Sequence, residues 1–268
     1  MLNKNIEKIE GMFLIIDRQN AKGLKHWVDE LTGRNLPACI AIEKVMADQY
    51  GSLIEEISMK GFEICGIYNE KPFWNEPYKF QYEEMRILKD KIESRTERPM
   101  QVFGSKYFAY NENTLKVAES IGLKYVFARG TAGTKAVLYK PEEYDVRILA
   151  VSNVPANLSE MGTGSLCDES LWARGESPES FKNILFSIKE ERIIIVAQTH
   201  LSGVKLHWWN VYQDFLNANT VNWNSLDGFT RNPLVLPNSQ IPINTEVKYM
   251  EPNPRMPLEQ ETDYPFHV

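Results

Sequence analysis

Long apolar runs, paired histidines and an excess of positive charge are all missing from this chain of 268 residues. No stretch approaches the ~20 apolar residues that span a bilayer, so membrane insertion through a helix is not expected. The four histidines are His26, His200, His207 and His267, and no two are spaced His-x-x-x-His. His200 and His207 stand seven apart, with Gly203 between them to break a helix. The three cysteines, Cys39, Cys65 and Cys167, form no close pair of the kind that builds a metal knuckle. Cys39 and Cys65 lie in apolar, strand-like runs and read as buried free thiols of a reducing compartment. The N-terminus begins Met1-Leu2-Asn3-Lys4-Asn5 and shows no charged region followed by an apolar core and a small-residue cleavage site; the expectation is a cytoplasmic protein. With 30 basic against 36 acidic residues the formal net charge is −6. A mildly acidic surface argues against non-specific binding to nucleic acid or anionic lipid.

What is present is a set of short apolar runs alternating with amphipathic stretches. The runs 12–16, 38–42, 62–67, 101–103, 124–128, 136–139, 146–151 and 193–197 are too short for helices. They are apolar throughout rather than alternating, as strands buried on both faces are. Between them, 21–31, 53–59, 80–97, 113–121, 178–191 and 208–216 carry helical spacing. Asn113 and the Ser177-Pro178 pair mark helix starts. A last short strand is expected at 220–223, and Ser225 is placed to cap a final turn. Strands alternating with helices indicate an α/β protein with a parallel sheet, and seven or eight such units favour a (β/α) barrel over an open sheet. Residues 1–230 read as that barrel. Residues 231–268 hold half of the chain's 14 prolines and no helical period. They read as an extended tail that packs along the barrel or mediates a homo-oligomer contact.

Three stretches carry a family pattern in the right order. Phe13-Leu14-Ile15-Ile16-Asp17-Arg18 is similar to a first strand that ends in an Asp-Asp pair. The helix 53–59 followed by Gly61-Phe62-Glu63-Ile64-Cys65 resembles the lead into a His-x-x-x-His metal motif. Val102-Phe103-Gly104-Ser105-Lys106-Tyr107, then Asn111-Glu112-Asn113-Thr114-Leu115, then Gly122-Leu123-Lys124-Tyr125, resembles a Phe-Arg-Pro-Pro-Tyr-Gly loop, an Asn-x-x-Thr-Leu helix start and a Gly-Tyr strand. Ile193-Ile194-Ile195-Val196-Ala197-Gln198-Thr199-His200 is similar to the strand that ends in a last histidine. Together these resemble the polysaccharide deacetylase (NodB-homology) family over roughly 12–216. The resemblance implies the distorted seven-stranded barrel of that family.

In the family, an Asp and two histidines hold a divalent metal that polarises the acetyl carbonyl and activates water, with another Asp as base and a final His as acid. Position by position, Asp17 matches the base and His200 the final histidine. The metal-binding Asp becomes Arg18, and the two metal histidines become Ile67 and Lys71. The loop arginine becomes Gly104, and the tyrosine survives as Tyr107. Isoleucine has no lone pair to donate, and two fixed cations repel a dication. No metal and no other cofactor is therefore expected.

Each of these residues also has a plainer reading. Asp17 at a strand end can cap the next helix, Arg18 can simply pair with Asp17 or another acid and fill the old metal position, and His200 can be a structural histidine. Trp74 and Tyr107 can stack on a sugar ring, or serve the core as most aromatics do. Trp74 is the stronger candidate because it lies in the polar loop after the third strand. Gly130-Thr131-Ala132-Gly133-Thr134-Lys135 lacks phosphate-loop spacing and reads as a turn, and 162–165 as a loop near the barrel mouth. Three functions stay open. One is a carbohydrate-binding protein of polysaccharide metabolism or assembly without the family's metal chemistry. Another is a metal-independent hydrolase using Asp17 and His200 on an acetylated or acidic saccharide. The third is a metal hydrolase with ligands from elsewhere in the chain. Arg18 and Lys71, if both point inward, would favour an acidic saccharide or a nucleotide sugar.

Overall fold

The computed structural model describes residues 8–130, 135–154, 164–231 and 233–237. Strand β1 (Ile9–Ile16) is followed by α1 (Ala21–Gly33), β2 (Cys39–Ile42), α2 (Lys44–Gln49), α3 (Gly51–Met59) and β3 (Glu63–Tyr68). The long α4 (Tyr78–Thr96) leads to β4 (Val102–Ser105), a single 3-10 turn (Lys106–Phe108), α5 (Glu112–Ser120) and β5 (Tyr125–Ala128). Then come β6 (Val137–Pro141), β7 (Arg147–Ala150), α6 (Asp168–Trp172), α7 (Pro178–Phe186), β8 (Arg192–Gln198), α8 (Leu206–Ala218), β9 (Val221–Trp223), α9 (Leu226–Phe229) and β10 (Leu234–Leu236).

The strand order is β10-β6-β7-β5-β4-β3-β2-β1-β8, with β9 added to the start of β1. Strands β5, β4, β3, β2, β1 and β8 run parallel, as does β7 beside β5. These seven make the barrel wall. Between β7 and β8 the wall is completed by the segment 164–167. The Leu166 N–H donates to the Ser152 carbonyl (2.7 Å) and the Val196 N–H donates to the Leu166 carbonyl (3.0 Å). Asn153 bridges Ser165 and Cys167 bridges Val196. Strand β6 is an exception to the expected parallel order: it lies antiparallel on β7, with β10 beside it. The tail's described beginning thus forms β10, and the remainder of the tail, with any subunit contact it makes, lies outside the described residues.

Alternate residues of each strand face opposite layers. Met12, Leu14, Ile16, Cys39, Ala41, Cys65, Ile67, Val102, Phe127, Leu149, Ile194 and Val196 fill the barrel interior, and Leu226 and Phe229 of α9 join them. The opposite faces, including Phe13, Ile15, Ile40, Phe103, Val126, Ile193 and Ile195, pack under the helices. Trp27 of α1 anchors that outer layer, edge-on to both Trp209 and Tyr212 of α8. This is the α/β barrel of the distorted seven-stranded type, and its strands finish together at one mouth.

Candidate functional site at the strand ends

Asp17 directly follows β1 and is fully buried. Its Oδ1 accepts from the Asn20 N–H (3.2 Å) and the Thr199 hydroxyl (3.1 Å), and its Oδ2 from the Gln19 N–H (3.2 Å). Burial raises its pKa to about 6 against those hydrogen bonds, and the nearby Glu43 adds to the rise. The carboxyl therefore ties the end of β1 to the turn that opens α1, where Asn20 accepts from the Gly23 N–H at 2.8 Å. The close approach of the turn after β8 demands glycine on the helix: a Cβ on Gly23 would stand 2.0 Å from the Thr199 carbonyl oxygen. Asp17 and His200 are so brought to one side of the mouth.

Arg18 does not pair with Asp17. Its Nε lies 3.9 Å from Glu43 and its Nη1 3.7 Å from Glu169, so the guanidinium sits between two carboxylates from different sides of the mouth. Glu43 also accepts from Asn69 (2.7 Å) and from Gln19 (3.1 Å). The other oxygen of Glu169 stands 3.6 Å from His200 Nε2, while His200 Nδ1 is buried without a hydrogen-bond partner among the described residues. Burial lowers the His200 pKa and Arg18 pushes the same way, against Glu169. Burial thus favours the neutral form of the His200 ring over the charged one.

Lys71 turns elsewhere. Its Nζ makes a 2.8 Å pair with Glu76 and lies 3.9 Å over the ring of Phe80 in α4. Arg18 and Lys71 thus both stand against carboxylates, Glu43 and Glu169 for the one and Glu76 for the other. Trp74 and Tyr107 do meet, as a stacked pair with ring centroids 6.3 Å apart and planes at 26°. Tyr107 is 38% exposed. It is presented by a turn in which both Tyr107 and Phe108 hold left-handed backbone, at φ 61° and 54°. Such conformations cost side-chain-bearing residues of order 1 kcal/mol or more each. The same turn sends Phe108 into the barrel interior, edge-on to Phe127.

The residues that the sequence resemblance sets at the family's metal positions are engaged as follows. Ile67 is part of the apolar interior, Arg18 is held by two acids and Lys71 leans on α4. Among the described residues no three His, Cys, Asp or Glu side chains are grouped as a metal would need. Gly104, at the loop-arginine position, lies against Phe127 and Ile67.

Three polar residues of the mouth escape the sequence reading. Glu43 and Glu169 bind the arginine. Asp168, fully buried, accepts from the backbone N–H groups of Gln198 and Glu169 (3.1 and 2.7 Å) and fastens α6 to β8. Burial lifts its pKa to about 7. The available signal was Cys167-Asp168-Glu169 just ahead of the apolar Leu171-Trp172, an acid at a helix start.

Residues 7–126 match the family model described as polysaccharide deacetylase. No curated protein matches the chain in sequence. Solved structures do share its fold. A protein of Mycobacterium smegmatis assigned to the polysaccharide deacetylases superposes with a TM-score of 0.63 at 12% identity, over 84% of this chain and 89% of its own. A family 4 carbohydrate esterase from Streptomyces lividans, solved with acetate, gives 0.57 at 10% identity, over 86% and 98%. A pseudoenzyme of the same esterase family from Bacillus anthracis gives 0.58 at 9% identity, over 87% and 70%. The family model's match over residues 7–126, together with the shared distorted barrel, makes this chain similar to the polysaccharide deacetylases in sequence over its first part and in fold over most of its length.

Proposed function

We propose that this protein binds a saccharide at the barrel mouth and has given up the family's metal-dependent deacetylation. The observation that carries the reading is the stacked Trp74–Tyr107 pair beside metal positions held by Arg18, Ile67 and Lys71. Flat rings with polar edges at the surface suit the faces of a pyranose. An apolar interior that Phe108 joins suits neither a dication nor its water. The saccharide binding belongs to polysaccharide metabolism or assembly, by the family's connection. The described thiols are free and buried, which fits a cytoplasmic location. A nucleotide sugar ranks below a plain saccharide, because its phosphates need cations and Arg18 and Lys71 are already matched by carboxylates.

Calorimetry with tetramers of N-acetylglucosamine and of xylose tests the binding. Trp74→Ala and Tyr107→Ala should each weaken it by roughly 5- to 100-fold, as removal of a stacking ring does. Elemental analysis of protein purified without chelator should find no stoichiometric zinc, cobalt or nickel. One equivalent of metal together with acetate release from acetylated tetramers would overturn the proposal.

A second reading rests on the His200–Glu169 pair and on Asp17 with its pKa near 6. It is a metal-independent hydrolase in which these groups move protons. The full burial of Asp17, with both oxygens engaged, weighs against it. Metal-free acetate release that His200→Ala abolishes would favour this reading over the first.

A further inference from the structure

Tyr78 and Tyr82 stack on the outer face of α4, with ring centroids 6.1 Å apart and planes at 17°. Tyr78 is 41% exposed, and Tyr82 is partly buried. The core needs no such pair here, because Gln81, Met85, Leu88 and Ile92 supply the buried side of the helix. Lys79 and Glu83, both exposed, border the rings, and neither makes an ion pair among the described residues. The described chain ends close by. Leu236 of β10 pairs with Pro141. Just beyond β6, the Asp145 N–H donates to Glu119 of α5 at 2.8 Å. The next residue, Ser120, accepts from the Tyr78 hydroxyl at 3.4 Å. A line of contacts thus runs from the root of the C-terminal tail, across the end of α5, to the tyrosine pair.

The tail carries Glu251-Pro252-Asn253-Pro254-Arg255-Met256-Pro257-Leu258, with Pro254 and Pro257 spaced Pro-x-x-Pro. Closely spaced prolines fix φ and favour the polyproline II form, so such a segment loses little entropy when it docks. Segments of this kind are taken up by surfaces of exposed aromatic rings. We propose that residues 251–258 seat on the Tyr78–Tyr82 face of α4 of the same chain, with Arg255 toward Glu83 and Glu251 toward Lys79. Residues 238–249 suffice for the crossing, since at about 3.3 Å each they reach about 40 Å. The tether also raises the effective concentration of the segment to the order of 1 mM. A contact with a Kd of about 0.1 mM is then about nine-tenths formed. The docking does not depend on the saccharide reading. It borders the loop of Trp74, four residues before Tyr78, without using that ring.

Limited trypsin digestion of the full-length protein, followed by mass spectrometry, tests the docking. Lys248 and Arg255 are the cleavage sites of residues 238–268. Cleavage after Arg255 in the wild type should be roughly tenfold slower than in a synthetic peptide of residues 248–260, the protection that nine-tenths occupancy gives. Tyr78→Ala should bring the rate close to that of the peptide, and Tyr78→Phe, which keeps the ring, should retain the protection. Glu83→Lys leaves both rings in place and reverses the charge facing Arg255; it should speed cleavage by roughly two- to fivefold, the scale of one exposed ion pair. Wild-type cleavage as fast as the peptide's would overturn the proposal. So would protection that neither Tyr78→Ala nor Glu83→Lys reduces, since the segment would then be covered elsewhere. Protection that disappears on dilution, together with a dimeric mass in light scattering, would assign the segment to a second copy and overturn docking within one chain.

Discussion

Asp168 shows how one buried carboxyl sets both geometry and pH response. It anchors α6, and α6 carries Glu169 to Arg18 and His200. Its folded pKa of about 7 stands above the ordinary 3.8. The native state therefore binds more protons than the unfolded chain between those values, and stability falls as pH rises through that window. The effect is a few kcal/mol, at about 1.4 kcal/mol per pKa unit. Asp17 acts in the same direction between 3.8 and about 6. His26 and His200, whose pKa values burial lowers, act in the opposite direction below the ordinary 6.5. Asp168→Asn isolates the contribution of one group. Urea titrations at pH 5 and pH 8 should show the variant gaining stability relative to wild type at the higher pH. An equal difference at both pH values would contradict the burial-driven shift. Asp168 was hard to see in the sequence because an acid before a short helix is common, and only its burial against β8 distinguishes it.

At the scale of elements, the seam between β7 and β8 is the least regular part of the wall. Its strand order could not be read from hydrophobic runs. The run 136–139 is apolar like the others, yet it lies antiparallel on β7. Two short helices, α2 and α6, also went unread, since five or six residues hold too few turns to show a period. Helix α7 stops at Phe186, short of the expected 191. By contrast, β1, α1, β3, α5 and β8 stand close to where apolar spacing placed them, but the cap of α5 is Asn111, with Thr114 reciprocating, rather than the expected Asn113, which lies inside the helix. The seam depends on Ser152, whose buried hydroxyl accepts the Ile194 N–H at 3.1 Å. Ser152→Ala leaves that backbone donor buried and unmatched, a loss of about 1–3 kcal/mol. Chemical denaturation should show it as a lower midpoint, with an undiminished midpoint counting against the seam's role.

For the whole molecule, the proposed saccharide-binding mouth draws on different elements from those that close the interior with α9. Leu226 and Phe229 of α9 join the buried interior, and the adjoining Thr230 bonds the Tyr125 hydroxyl at 2.9 Å. Trp74, Tyr107 and Gln198 belong to the strand-end mouth. Phe229→Ala should lower stability by about 3–5 kcal/mol, as deletion of a buried ring does. Tetramer affinity should stay within about twofold, since distant and unconnected sites contribute independently. A large affinity loss in a folded Phe229→Ala protein would mean that the two regions are coupled.

The order of apolar runs and amphipathic helices determined the α/β framework from the sequence alone, because burial on both faces of a strand writes itself as an unbroken apolar run. The same residues showed that Ile67 cannot ligate a metal, since side-chain chemistry needs no coordinates. Tertiary structure decided where the charges go. Arg18 could have paired with its neighbour Asp17, but the mouth places Glu43 and Glu169 around it. Lys71 could have met any of several acids, but Glu76 and Phe80 engage it. Long polar side chains reach several ångströms in any direction, and the choice among partners is set by which strand ends the barrel brings together. The sequence orders those partners along the chain, while their convergence in space exists only in the fold.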